Sequence, residues 1–127
     1  MAQVRALNWG RILIAIIVGE ALPLLALIAI VHFTLPTDPA AVDAYARHMG
    51  TFVGPIGGFV TVAMMSWWAG WHSASPVVQG ALIGGILALI DLVIVVAMAE
   101  PFGWLWFVSN GGKIVAGMLG GRLVLKR

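Results

Sequence analysis

The chain has 127 residues; 61% are hydrophobic, 9% are charged, and the mean hydropathy is +1.04. Because a soluble domain carries roughly a quarter charged residues, this composition cannot cover a water-facing surface and excludes a soluble enzyme and a disordered segment. A net charge of only +2 without a basic patch excludes nucleic-acid binding, and the lack of cysteine excludes disulfides and thiolate metal sites, so we expect an integral membrane protein.

Four apolar stretches are each long enough to cross a lipid bilayer, which takes about 20 residues of helix. They run from about 12 to 35, 50 to 71, 77 to 99 and 104 to 125. The stretches are continuous rather than alternating, and in lipid this pattern favours α-helices over a closed barrel. The sequence therefore predicts one all-α membrane domain over 1–127, a polytopic protein built as a compact four-helix bundle.

The first span contains an acid, Glu20, three residues before Pro23. Pro23 cannot donate a hydrogen bond to the carbonyl of Gly19, so a kink is predicted there. Glu20 has no basic partner at its own predicted depth, and two interpretations stay open. It belongs to a polar, proton-linked pocket, or it points at Lys113, at Ser66, at a buried water or at a partner protein.

The links between the spans are short and rich in turn-forming residues. Pro36 to Pro39 ends the first helix, and residues 40–49 are predicted to form a short separate helix at the membrane surface. His72–Pro76 and Glu100–Gly103 are predicted to be tight turns. Consecutive spans are therefore expected to be antiparallel neighbours.

The third and fourth spans each contain one buried charge, Asp91 and Lys113 respectively. Counting residues outward from the turn near Pro101 along both spans places Asp91 opposite Lys113, at nearly equal depth in the membrane. Because a charge inside the membrane costs about 3 kcal/mol and is normally paired, we predict an Asp91–Lys113 ion pair. Two roles stay open: a structural staple that lets the weak fourth span insert, or a pair that responds to protons or ions.

Small residues share the predicted helix faces of these two charges. Asn110 lies on the face of Lys113, and Ser109–Gly112 either breaks the fourth helix or leaves it continuous. Pairs of glycines four residues apart permit close contact between helices, here within one molecule or at a dimer seam. The predicted packing pairs are Gly54 with Gly58, Gly80 with Gly84, and Gly117 with Gly121.

The basic residues at or beyond the ends of the spans are unevenly divided between the two sides of the predicted bundle. The loops on the side away from the termini contain only Arg47. The positive-inside rule then predicts that both termini are cytoplasmic, and that any homodimer is parallel. The basic residues on the side of the termini are Arg5, Arg11, Arg122, Lys126 and Arg127.

The sequence contains no motif that indicates catalysis. A serine nucleophile motif and a zinc-hydrolase motif are both absent, and His32 and His48 form no metal-binding pattern with Asp38 and Asp43. We therefore expect no enzymatic activity, no metal and no cofactor.

Three segments carry a resemblance over the whole length of the chain. They are Asn8-Trp9-Gly10-Arg11, the Gln79-Gly80-Ala81 start of the third span with Gly84-Gly85, and the glycine-rich fourth span with its basic end. In these the chain resembles uncharacterised small four-span bacterial inner-membrane proteins, which implies the fold and that location. In size and in the position of Glu20 it is also similar to small multidrug-resistance transporters, which have an essential acid in the first helix. It differs from them in the outer segment Pro36–Met49, in Lys113 and in its charge bias.

Two functions from different classes are open. The first is a non-enzymatic structural or accessory subunit of a membrane assembly, held together by Asp91 and Lys113, with a lipid or protein partner. The second is a proton- or ion-coupled small transporter or channel protomer that uses Glu20 and acts as a parallel homo-oligomer. The lipid bilayer is a partner in both.

Overall fold

The computed structural model describes residues 7–34, 38–99 and 102–126, and this part of the chain contains four α-helices and no strand. The all-α prediction is therefore confirmed. The helices are α1 (Trp9–Thr34), α2 (Pro39–Gly70), α3 (Pro76–Ala97) and α4 (Trp104–Val124). The predicted features at Arg5, Pro36, Thr37, Glu100, Pro101 and Arg127 lie outside the described residues.

The starts of α2 and α3 follow from local sequence. Each helix begins with a proline at its first position, where a missing N–H costs nothing and the fixed φ suits a helix. Asp38 caps α2, since its side chain accepts a hydrogen bond of 3.3 Å from the backbone N–H of Ala40. Ser75 holds the corresponding position before α3.

Helix α2 has 32 residues and is longer than the predicted span at 50–71. The prediction of a separate surface helix at 40–49 is wrong, because these residues form the first turns of α2. They contain no proline or glycine before Gly50 that would interrupt the helix. The exposed Asp43–Arg47 ion pair of 3.1 Å, four residues apart, also suits a continuous helix.

Three of the four helices, α1, α2 and α3, are long and apolar enough to cross a membrane, and they indicate a membrane protein. Helix α4 is not in this group, because polar residues such as Asn110, Lys113 and Arg122 lower its mean hydropathy. Large apolar side chains cover the outside of the bundle, such as Ile17 and Val93 at 64% and 60% exposure. Such a surface suits lipid rather than water.

The helices alternate in direction, so the start of α1 lies beside the end of α2. Arg11 Nη1 donates a hydrogen bond of 3.0 Å to the carbonyl of Trp68, and its guanidinium lies 4.8 Å from that indole ring centre. Gly70 and Pro76 pack closely, and Val124 of α4 lies against Gly70. We call this end the basic end and the other the opposite end. The described basic residues at the basic end are Arg11, Arg122 and Lys126.

The backbones of α3 and α4 are in direct contact at glycines. A Cβ atom on Gly80 would clash with the carbonyl of Gly117, and one on Gly84 would clash with the carbonyl of Lys113. These contacts join the two glycine pairs inside one molecule, because only residues without side chains permit such an approach. The glycines that meet the partner backbone in this way are Gly80, Gly84, Gly117 and Gly121.

The register of α3 and α4 differs from the predicted one. The backbone of Lys113 lies opposite Gly84, whereas reflection about the turn places it opposite Asp91, seven residues further along α3. The glycines set the closest approach of the two helices, and that approach overrides a simple count from the turn.

The apolar core fills the half of the bundle nearer the basic end. Its larger side chains, Ile12, Val62, Ile83 and Leu87, are almost completely inaccessible. Beyond the level of Leu87, towards the opposite end, Asn110 is the one buried residue in the described part of the chain. The bundle is therefore tightly packed in one half and more open in the other.

Candidate functional site

Three charged side chains from three helices meet at the boundary between these two halves. Lys113 Nζ of α4 lies 2.6 Å from Asp91 Oδ2 of α3 and 3.7 Å from Glu20 Oε1 of α1. The Lys113 residue is only 7% exposed. We call these three residues the charge triad.

Side-chain direction explains how Lys113 reaches Asp91 despite the shifted register. The gap of seven residues corresponds to about 10 Å along a helix. Side chains on a helix lean towards its N-terminus, so Lys113 leans towards the opposite end and Asp91 leans back towards the basic end. The long lysine stem closes the remaining distance, and the two groups meet.

Glu20 has a basic partner, contrary to the expectation from its predicted depth. That expectation is wrong because the depths of Glu20 and Lys113 were counted along the backbone, without the length of the lysine side chain. The alternative in which Glu20 points at Lys113 describes the structure. At 3.7 Å the contact is ionic but too long for a hydrogen bond, and the buried Oε1 atom has no hydrogen-bond partner among the described residues. The buried hydroxyl of Ser66 is likewise unpartnered there, so the two are not joined.

The stem of Lys113 lies over a glycine of α2. A Cβ atom on Gly58 would lie 3.1 Å from Lys113 Cε, whereas one on Gly54 would meet open space. The predicted pair Gly54–Gly58 therefore differs from the other two pairs. Gly58 makes room for the lysine, and Gly54 borders a cavity.

A cavity of about 230 Å³ adjoins the triad on the side of the opposite end. Glu20, Asp91 and Lys113 all line it, together with Pro23. Pro23 lies inside α1, which continues through it to Thr34, and the predicted kink stays a prediction. Because the core is packed below the triad, the three charges form the floor of this cavity.

The triad contains two carboxyl groups and one ammonium group. With all three ionised it carries one net negative charge. Helix α2 contributes no ionisable residue to the described lining of the cavity, and His48 of α2 is exposed and packs against the ring of Phe52. The two acids are only partly buried, with side-chain exposures of 32% for Glu20 and 24% for Asp91, but an excess charge inside the bundle is still costly, and one bound cation or proton would remove it.

Asn110 lies one turn before Lys113, in a helix that is continuous through Ser109–Gly112. The alternative of a broken fourth helix is therefore wrong, since α4 packs against both α2 and α3, which support this glycine-rich segment. Asn110 Nδ2 donates a hydrogen bond of 3.0 Å to the carbonyl of Trp106. Its Oδ1 atom is buried without a partner in the described chain. Asn110 is thus beside the triad but makes no hydrogen bond to it.

Sequence reasoning missed Gln79, which is completely buried. Its Oε1 accepts a hydrogen bond of 3.1 Å from the backbone N–H of Asn8, and its Nε2 donates one of 2.9 Å to the carbonyl of Ala69. Asn8 in turn caps α1, since its side chain accepts from the N–H of Arg11. In the sequence, a lone amide side chain in the apolar first turns of α3 could have indicated this role. In the structure, Gln79 joins the ends of three helices.

In the described ranges, no group of three or more histidine, aspartate or glutamate side chains could hold a metal ion. The fold and the triad together indicate a class: an α-helical membrane protein with a partly buried cluster of opposite charges inside the bundle. Comparison of the chain with protein-family models, with curated proteins and with solved structures finds no match. The resemblances drawn from the sequence therefore stay predictions.

Proposed function

We propose that this chain is a small, non-enzymatic integral membrane protein that binds a proton at the charge triad and acts as a proton-linked transporter or channel protomer. One observation carries the proposal: two carboxyl groups share one lysine at the floor of a cavity. A staple needs one acid and one base. The second acid is more than a pair of helices needs for such a staple, and it supplies a place for a proton.

The charges explain why a proton would bind and leave. With both acids ionised, the triad has a net charge of −1 in a largely apolar bundle. Protonation of either acid leaves one carboxylate and the ammonium of Lys113, a neutral pair. Because Glu20 is held only at 3.7 Å while Asp91 is held at 2.6 Å, the two acids are unequal partners of the lysine.

In this proposal α4 is a fourth span, although its own composition is less apolar. Its support is packing: α4 lies against α2 and α3, and its polar residues Asn110 and Lys113 are buried in the bundle. The basic end would face the cytoplasm, with both termini, in a bacterial inner membrane. Four helices are few for a complete pathway, so we expect a parallel homo-oligomer.

Infrared spectroscopy of the protein in lipid vesicles tests proton binding directly. We expect a carboxyl band from a buried protonated acid that changes with pH in the wild type and disappears in Glu20→Gln. Asp43→Asn is the matched control, because Asp43 is exposed and its variant should keep the band. A wild-type spectrum without a pH-dependent buried carboxyl would contradict the proposal.

A second candidate is the structural or accessory subunit. It is supported by the triad joining three helices, and by the apolar outer face of α1, where Leu13, Ile17 and Ile28 are each more than half exposed. Extraction in mild detergent separates the candidates. A defined complex with another membrane protein favours the accessory role, whereas a pure homo-oligomer favours the transporter.

A further inference from the structure

A second cavity, of about 320 Å³, adjoins the first one on the other side of Asp91. It lies between α2, α3 and α4, in the open half of the bundle. Asp91 and Ser109 line both cavities. The triad is therefore approached from two cavities, of which only the first touches Glu20.

Two residues that line the second cavity each carry a buried polar atom without a hydrogen-bond partner in the described chain. The atoms are Asn110 Oδ1, an acceptor on a residue only 5% exposed, and Trp106 Nε1, a donor. Leaving such groups unpaired costs about 1–3 kcal/mol each. Because both residues line one cavity, a small ligand that donates to Asn110 Oδ1 and accepts from Trp106 Nε1 after a small side-chain rotation would satisfy both.

Water meets this requirement. A lipid acyl chain satisfies neither atom, and a bare metal cation is repelled by the Trp106 N–H group. A cavity of this size holds several waters when its lining offers polar partners. The carboxyl group of Asp91 and the hydroxyl groups of Ser109 and Thr51 supply further partners.

We propose that the second cavity is a water-filled vestibule through which protons pass between the opposite end and Asp91. This inference rests on the proposed function of the triad. In the transfer, a hydronium ion gives one proton to the Asp91 carboxylate and leaves a water molecule. Lys113 remains an ammonium group and is then balanced by Glu20 alone.

The groups that face Asp91 come from each neighbouring helix. Helix α1 presents Glu20 and α4 presents Lys113, while the described lining from α2 presents Thr51 and no ionisable side chain. The packed core on the basic side separates Asp91 from that end. Access to the triad is therefore one-sided in this conformation.

Cysteine labelling tests the vestibule, since the natural chain contains no cysteine. Single cysteines are placed by Ser109→Cys, which lines both cavities, and by Val108→Cys, next to it and 58% exposed on the outer surface. Substitutions of Asn110 separate the two cavities, because Asn110 lines the second cavity and is not in the described lining of the first. A charged, membrane-impermeant thiol reagent is added to vesicles that contain the intact protein. Thiols react as thiolates and therefore need water, so we expect Ser109→Cys to react about tenfold faster or more.

A second substitution shows whether Asn110 holds the water. In the Ser109→Cys background, Asn110→Leu should lower the labelling rate towards that of Val108→Cys, while Asn110→Ser, which keeps a polar oxygen, should retain it. Gly111→Ala is the matched neighbour control, because its added Cβ meets open space. All variants are first compared by their helical circular dichroism and elution as one species.

Three results would overturn the inference. Equal labelling of Ser109→Cys and Val108→Cys would mean that lipid or protein fills the cavity. Labelling that is insensitive to Asn110→Leu would mean that water enters by another route. Protection of Ser109→Cys by sodium chloride, and not by choline chloride, would mean a cation site instead.

The labelling experiment and the infrared experiment fail separately. Labelling reports water beside Asp91 whether or not the triad binds a proton. If labelling fails while the buried carboxyl band persists, the vestibule is wrong and the proton site stands. If the band is absent while labelling succeeds, the proton site is wrong, and the second cavity contains water without leading to a proton-binding group.

Discussion

Lys113 is the residue on which the interior of this protein depends most. It is almost fully buried, contacts two acids on two other helices, and lies over Gly58. Sequence reasoning identified Glu20, Asp91 and Lys113 because an isolated charge in an apolar stretch has few reasons to be there. It left open whether Glu20 joins Asp91 and Lys113, since the reach of a lysine side chain depends on helix register.

Lys113→Met should strongly destabilise the protein. The substitution leaves the partly buried carboxylates of Asp91 and Glu20 without a counter-charge. Removing one partner of a fully buried pair typically costs about 3–5 kcal/mol, and side-chain exposures of 24% and 32% place this loss below that range. Thermal unfolding in mild detergent measures the effect. The double variant Asp91→Asn with Lys113→Met should recover part of the loss, and a Lys113→Met variant as stable as the wild type would show that the ion pair contributes little.

Gln79→Leu should destabilise the basic end without affecting the triad. It removes a donor and an acceptor together, and leaves the N–H of Asn8 and the carbonyl of Ala69 unpaired, at about 1–3 kcal/mol per group. Val78→Leu is the control, because Val78 is 48% exposed. Equal unfolding temperatures for the two variants would argue against a capping role for Gln79.

At the scale of helices, local signals set where elements begin, and contacts set how they pair. Asp38-Pro39 and Ser75-Pro76 mark the starts of α2 and α3 in the sequence. The length of α2 was less predictable, since polar residues before Gly50 suit a membrane surface as well as a longer helix. The register of α3 against α4 was not predictable, because several glycines on one face permit several close approaches.

Gly84→Ala and Gly85→Ala form a matched test of the α3–α4 contact. A methyl group at Gly84 would meet the backbone of Lys113, whereas one at Gly85 meets open space. We expect a marked fall in unfolding temperature for Gly84→Ala. Gly85→Ala should be neutral or slightly stabilising, because alanine is a better helix former by about 1 kcal/mol. Similar behaviour of the two variants would mean that the helices separate easily.

At the scale of the whole molecule, the alternating helices bring Arg11, Arg122 and Lys126 to one end. The packed core lies on that side and the cavities on the other. Composition alone predicted a membrane protein, and three apolar helices support it. Which half would be open was not readable from the sequence, because buried and lipid-facing positions are both apolar in a membrane helix.

Reporter fusions test the orientation. Green fluorescent protein at the C-terminus should fluoresce and alkaline phosphatase there should be inactive, because the positive-inside rule predicts that the basic end faces the cytoplasm. The same reporters inserted after Ala99, at the opposite end, should give the reverse pattern. Phosphatase activity at the C-terminus would contradict the proposed orientation.

The sequence by itself determined the class of protein, the helical elements and the three unusual charges. It did so because apolarity, helix-capping residues and isolated charges act locally or through the solvent, and each is visible in a short segment. Only the tertiary structure decided that Glu20 joins the pair, that Gln79 links three helix ends, and that Asp91 borders two cavities. These features depend on which glycine meets which backbone, and a shift of seven residues in that contact reassigns every neighbour.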